Sequence, residues 1–218
     1  MVTLDIISDP ICPWCYIGKA RLDAAIAETG VNPFDVVWRI FELNPEMPAE
    51  GMDRQIYLAA KFGGPEGAEQ VYARVRQEAE RSGLALRFDR IARTPNTFDA
   101  HRLLRWARAA GDQSDAAQAL FERYFERGED ISDREVLLDV AESAGLERPV
   151  VARLLEGDAE AAELREEEEA IRRMGVAGVP CFVIAGRQVL QGAQETETWK
   201  QVIAGLEAAL ARQADEAP

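Results

Sequence analysis

Two cysteines three positions apart, Cys12 and Cys15, stand where a strand-like run gives way to a helix-like one. That junction constrains the fold more than any other stretch of the chain. "VTLDIIS" (residues 2–8) is short, rich in β-branched residues and stopped by Asp9-Pro10, and so reads as a buried strand. From Pro13 to about Thr29, Ile17, Leu22, Ala25 and Ile26 recur near helical spacing, and Gly30 is placed to end the helix in the left-handed region. "FDVVWRIFEL" (34–43) is a second strand, ended by Asn44-Pro45. Strand, helix and strand in so short a space predict a right-handed parallel βαβ unit.

The middle of the chain changes character. From about Asp53 to Met174 it is rich in Ala, Leu, Glu and Arg, with glycines at 63, 64, 83, 111, 128, 145 and 157 marking helix ends. This predicts six or so helices and one extended piece near residues 84–88. Ser132 and Glu135 are spaced as a capping box, and the acidic run "REEEEA" (165–170) reads as a solvated helix face. After Gly175 strand character returns. "VPCFVIAG" and "RQVLQG" form a hairpin signal around Ala185-Gly186-Arg187. A last amphipathic helix, about 195–212, carries Trp199, Ile203, Leu206 and Leu210 on one face, and the polar tail "QADEAP" is expected to fray. The expected class is therefore α/β. One domain is built from residues 1–48 and 175–218 (βαβ…ββα), and it is interrupted by an all-helical insertion over 49–174.

Charge narrows the function. With 39 acidic and 25 basic side chains the net charge is −14. Such a chain lacks the basic footprint that nucleic acid or an anionic lipid surface requires. No stretch approaches the ~20 apolar residues of a membrane span. Asp5 interrupts the N-terminal apolar run and no basic segment precedes it, so no signal peptide is expected and the location expected is cytoplasmic. Three cysteines are too few, and odd in number, for a disulfide-stapled secreted scaffold. In a reducing compartment a close pair is catalytic or metal-binding.

At a helix start, free N–H groups and the macrodipole favour a thiolate on the first cysteine. The second thiol, one turn inward, is placed to attack a mixed disulfide formed on the first. Pro13 suits the first helical position because it lacks the N–H that would be orphaned there. Cys12, Cys15, Cys181 and His101 also reach the count of a Cys3His zinc site, but without a second knuckle. Pro180, directly before the hairpin, is either a trans strand-starter or a cis-proline exposing the Val179 backbone to an extended substrate. Cys181 is a buried small hydrophobe or a third redox thiol. His101, the single histidine, is a hydrogen-bonded core residue, or lies on a helix whose start covers the dithiol with Asn96 and Phe98 shaping the pocket. Asp9 or Asp5 is a candidate acceptor for the proton of Cys15, against an ordinary solvated Asp9.

"DPICPWCYIGK", "PNTFDAHRLLRWA" and "GVAGVPCFVI…LQGAQ" together resemble the DsbA family, in its FrnE-like cytosolic branch. The resemblance runs in order along nearly the whole chain. It implies a thioredoxin-like fold with a helical insertion and thiol–disulfide oxidoreductase activity. By matching position, Cys12 would be the exposed nucleophile, Cys15 the resolving thiol, Pro180 the cis-proline and Val179 a backbone contact to substrate. Pro13, Trp14, Asn96 and Phe98 would border that substrate. The related 2-hydroxychromene-2-carboxylate isomerases and kappa-class glutathione transferases share the architecture but typically carry serine where this chain has Cys12. Two cysteines favour dithiol chemistry on a protein or small-thiol substrate, with no resident cofactor and glutathione as a candidate co-substrate. The alternative is a glutathione-dependent isomerase or transferase whose pocket would draw on Trp38, Phe41, Phe98 and Trp106.

Overall fold

The structure, a computed structural model, describes residues 1–215. Strand β1 (Val2–Ser8) pairs in parallel with β2 (Phe34–Ile40), Val2 facing Phe34 and Ser8 facing Ile40. Between them runs α1 (Pro13–Thr29), closed by Gly30 at φ 69° in the left-handed region. The hairpin follows from the far end of the chain. β5 (Cys181–Ile184) lies antiparallel to β1, Ile7 facing Cys181, and β6 (Gln188–Gln191) lies antiparallel to β5. The sheet order β2-β1-β5-β6 therefore joins the two ends of the sequence. Helix α9 (Thr196–Asp215) packs on α1 and sets Trp199 edge-on against Phe34 and Phe182, at 6.1 and 4.8 Å between ring centres. Trp199 and Ile203 are buried, whereas Leu210 lies exposed past the packed part of the helix. The end of the tail, residues 216–218, lies outside the described residues.

Seven α-helices occupy the interior segment: α2 (Arg54–Phe62), α3 (Pro65–Arg81), α4 (Phe98–Ala110), α5 (Gln113–Phe121), α6 (Arg134–Ser143), α7 (Arg148–Glu156) and α8 (Ala161–Arg173). A π-helical stretch, Glu122–Arg127, continues α5. The segment is helical apart from a two-residue ladder, β3 (Met52–Asp53) with β4 (Arg93–Thr94). The extended piece expected near 84–88 is no strand; a 3-10 turn forms at Phe88–Arg90 and the pairing comes later, at β4. The capping box expected at Ser132 and Glu135 does not form either. Asp133 caps α6 by accepting from the backbone N–H groups of Glu135 and Val136, while Ser132 bonds Asp130.

Helices α4, α5 and α8 pack against β2. Gln113 acts there as a substitute strand. Its Oε1 accepts from Trp38 N at 2.9 Å, and its Nε2 donates to Trp38 O at 3.1 Å. The Trp38 backbone groups at the sheet edge thus stay satisfied inside the protein. β2 ends at Ile40, short of the expected Leu43: Phe41 N still bonds Ser8 O at 3.1 Å, but the next inward donor, Leu43 N, is captured by a side chain. Glu42 N bonds Glu168 at 2.7 Å, and Leu43 N bonds Asp9 at 2.7 Å. The acidic run is consequently not wholly solvated: Glu168 is 6 % exposed and held by Arg172.

Candidate active site

The turn after β1 is tied by Cys12 N donating to Asp9 O at 2.9 Å. Cys12 then occupies the N-cap of α1 in an extended conformation, with Pro13 in the first turn, and its carbonyl receives Cys15 N at 3.0 Å. This holds the Cys12 sulfur at the helix start, where its thiol donates to the Val179 carbonyl at 3.6 Å. The next peptide bond, Val179–Pro180, is cis. Gly18, one turn beyond Cys15, lets these pieces close up. A Cβ there would come within 3.1 Å of the Phe182 ring and 3.3 Å of Pro180.

All three cysteines are free thiols. Cys12 is 4 % exposed, so the expectation of an exposed nucleophile is corrected: the sulfur is tucked beneath the Val179 carbonyl. Burial holds the Cys15 thiol well above its ordinary value, helped by a hydrogen bond with Cys12 and opposed by the Asp9 backbone N–H. Asp9 is fully buried rather than solvated. Its carboxylate accepts from Ile11 N at 3.2 Å and Leu43 N at 2.7 Å, and the Thr97 side chain lies close enough to favour its charge. Burial outweighs these bonds and pushes Asp9 up to about 7. Asp5 instead pairs with Arg39 at 2.7 Å. His101 is buried with Nε2 3.9 Å from Asp9 Oδ1, and burial lowers it to about 3.

Glu42, 3 % exposed, is pushed up to about 8, first by burial and then by the charges of Glu168 and Asp9, with Arg165 opposing. The folded protein therefore holds this proton more tightly than the unfolded chain does. The stability linked to it is complete below about pH 4 and is lost as pH rises through about 8. Glu42→Gln cannot ionise and offers an NH2 group to Glu168. Urea unfolding should find this variant more stable by about 3 kcal/mol at pH ~9, and level with the parent at pH ~4.

The other sequence candidates scatter. Pro13 and Val179 are half-buried beside the dithiol, and Trp14, also half-buried, carries Arg74 5.9 Å from its ring centre. Asn96 serves the backbone: Nδ2 donates to Met47 O at 2.8 Å and Oδ1 accepts from Phe98 N at 2.9 Å. The Phe98 ring faces Arg165 at 4.1 Å and borders a cavity with Arg102 and Leu155. It is Thr97, not Phe98, that brings the start of α4 to Asp9. Trp38, Phe41 and Trp106 are buried in the core. Cys181 packs in a separate apolar cluster with Ile7, Phe41 and Ile171 and accepts from Gln191 Nε2 at 3.3 Å. Cys181 and His101 thus do not converge with the pair, and no group of three metal-binding side chains gathers among the described residues. Gly18 is the functional position the sequence reading missed. Its signal was a lone glycine inside a helical pattern.

Comparison with known proteins agrees with this fold. A probable DsbA oxidoreductase, SCO1869 from Streptomyces coelicolor, is 33 % identical, with 94 % of this chain and 89 % of that one covered and a TM-score of 0.83. A 2-hydroxychromene-2-carboxylate isomerase shares the fold at 16 % identity, covering 99 % and 100 % of the two chains with a TM-score of 0.69. So does the cytosolic disulfide reductase DsbM from Pseudomonas aeruginosa, solved with GSH, at 23 % identity, 96 % and 99 % coverage and a TM-score of 0.66. Residues 3–204 match the DSBA-like thioredoxin domain, and the chain belongs to that family.

Proposed function

We propose that this protein is a cytoplasmic dithiol–disulfide oxidoreductase. Cys12 attacks a substrate disulfide, forming a Cys12–substrate bond and releasing one substrate thiolate. Cys15 then attacks Cys12, its proton goes to Asp9, and the second substrate sulfur leaves with the bonding electron pair. The substrate is reduced and the pair becomes a disulfide; run backwards, the same steps oxidise a dithiol. The single observation that carries this reading is the Cys12 thiol at the start of α1, bonded to the Val179 carbonyl with Cys15 one turn inward. A substrate lying along the Val179 backbone would meet that sulfur directly. Glutathione is the small thiol we assign as co-substrate, because its single sulfur can open the Cys12–Cys15 bond and then be displaced.

Equilibration with mixtures of reduced and oxidised glutathione, followed by acid quenching, alkylation and mass spectrometry, tests the assignment. One disulfide joining Cys12 to Cys15 is expected, with Cys181 alkylated only after denaturation. Its failure to form at any ratio would count decisively against dithiol chemistry. The midpoint also sets the direction in the cell, since potentials in this fold spread over more than ~100 mV.

A further inference from the structure

Behind the dithiol, Asp9 is enclosed on every side. The β1–α1 turn supplies Ile11 N, the end of β2 supplies Leu43 N, and the start of α4 supplies Thr97. Cys15 and Cys12 face it from α1, and Glu42 and Glu168 stand close enough for their charges to matter. Arg172 holds Glu168, Arg165 acts on Glu42, and Tyr124 of the π-helical stretch, bonded to Arg54, lies within electrostatic range of Asp9. Asp9 is 0 % exposed, so a proton delivered to it has no direct contact with bulk solvent. It does meet one side chain that reaches a cavity. His101 sits 3.9 Å away through Nε2, and its ring borders a cleft of about 320 Å³ between β2, α4 and α8, beside Trp38, Leu104 and Arg105.

His101 Nε2 has no hydrogen-bond partner among the described residues, although the residue is 2 % exposed. An orphaned buried nitrogen costs about 1–3 kcal/mol, and a hydrogen bond to Asp9 would recover that cost. The 3.9 Å gap to Asp9 exceeds a hydrogen bond, so the transfer requires a side-chain rotation that brings the two atoms within about 3 Å. A neutral imidazole can take a proton on one ring nitrogen while losing one from the other, and so pass it on without holding charge.

We propose that His101 is a relay residue, carrying the proton that Cys15 gives to Asp9 out to the cleft between β2, α4 and α8. This rests on the dithiol reading above. In the resolving step the Cys15 S–H bond breaks and the Cys12–Cys15 bond forms. The Cys12–substrate bond breaks with its pair left on the substrate sulfur, and the proton travels from Cys15 to Asp9 to His101 to the cleft. No further oxidant enters, because the substrate disulfide takes both electrons.

An aromatic disulfide, dithiobis(nitrobenzoate), separates the steps in stopped flow. The first nitrothiolate is released when Cys12 attacks and the second when Cys15 resolves. In His101→Ala the first phase should stay within about twofold of the parent, while the second slows at least about tenfold near neutral pH. The deficit should shrink as pH rises, since hydroxide entering through the opened cleft then takes the proton from Asp9, and added imidazole should restore the second phase by the same route. A second phase matching the parent would overturn the relay. So would one slowed by the same factor at every pH and unmoved by imidazole, as a structural role requires. If His101→Ala fails to fold, heavy water replaces it: the parent's second phase alone should slow, and equal slowing of both phases refutes the relay. Absence of the first phase in the parent protein would sink the dithiol reading itself.

Discussion

Replacing Cys12 by serine should reduce disulfide turnover to background in an insulin-reduction assay, a loss of at least about a thousandfold. The size follows from the chemistry. The attacking species is a thiolate, and a serine hydroxyl at the same place supplies neither the anion near neutral pH nor a sulfur to hold the mixed disulfide. Cys12 fills the N-cap of α1 without a side-chain cap bond. Serine is among the preferred N-cap residues and can bond a backbone N–H of the first turn, so the folded state should be as stable as the parent or slightly more so. Loss of activity with an unchanged or raised melting temperature therefore assigns the effect to the missing sulfur. Activity at the parent's level in this variant would remove Cys12 from the mechanism, and the proposed function with it.

The elements around that sulfur were legible to different degrees, and the differences have physical causes. The β1–α1 junction is written in local periodicity, and so is the hairpin, whose turn places Ala185 and Gly186 at positive φ of 52° and 65°. The early end of β2 is not local. It depends on Asp9, 34 positions away, capturing the N–H of Leu43, while Glu168, 126 positions away, binds the outward N–H of Glu42. Nothing in "REEEEA" distinguishes that carboxylate from its solvated neighbours, because its burial is decided by Arg172 on the same helix and by the strand it meets. Cap chemistry misleads for the opposite reason. Ser132 and Asp133 are both good N-caps, and the choice between them turns on Asp130 drawing Ser132 away. The depth of Cys12 is likewise set by Val179, 167 positions along the chain, so a motif read alone leaves the nucleophile on the surface. The approach of His101 to Asp9 needs the insertion to fold back on the sheet, which residue spacing does not express.

Cys15→Ser should have a different outcome, and that difference tests the order of events. Cys15 is 1 % exposed and its thiol faces Cys12 on one side and the Asp9 backbone N–H on the other. A hydroxyl fits this space and can accept from that N–H, so the variant should fold. Attack by Cys12 remains available, but no internal thiol can then displace the substrate. The expected result is a stable covalent adduct, seen as a mass gain equal to one substrate half and lost on reduction. Turnover without added thiol should fall at least about a hundredfold. Added glutathione should recover much of it by attacking the adduct from solution. A glutathione-dependent isomerase or transferase has no need of a resolving thiol. It would keep full activity in Cys15→Ser and accumulate no adduct, so the two readings diverge in a single variant.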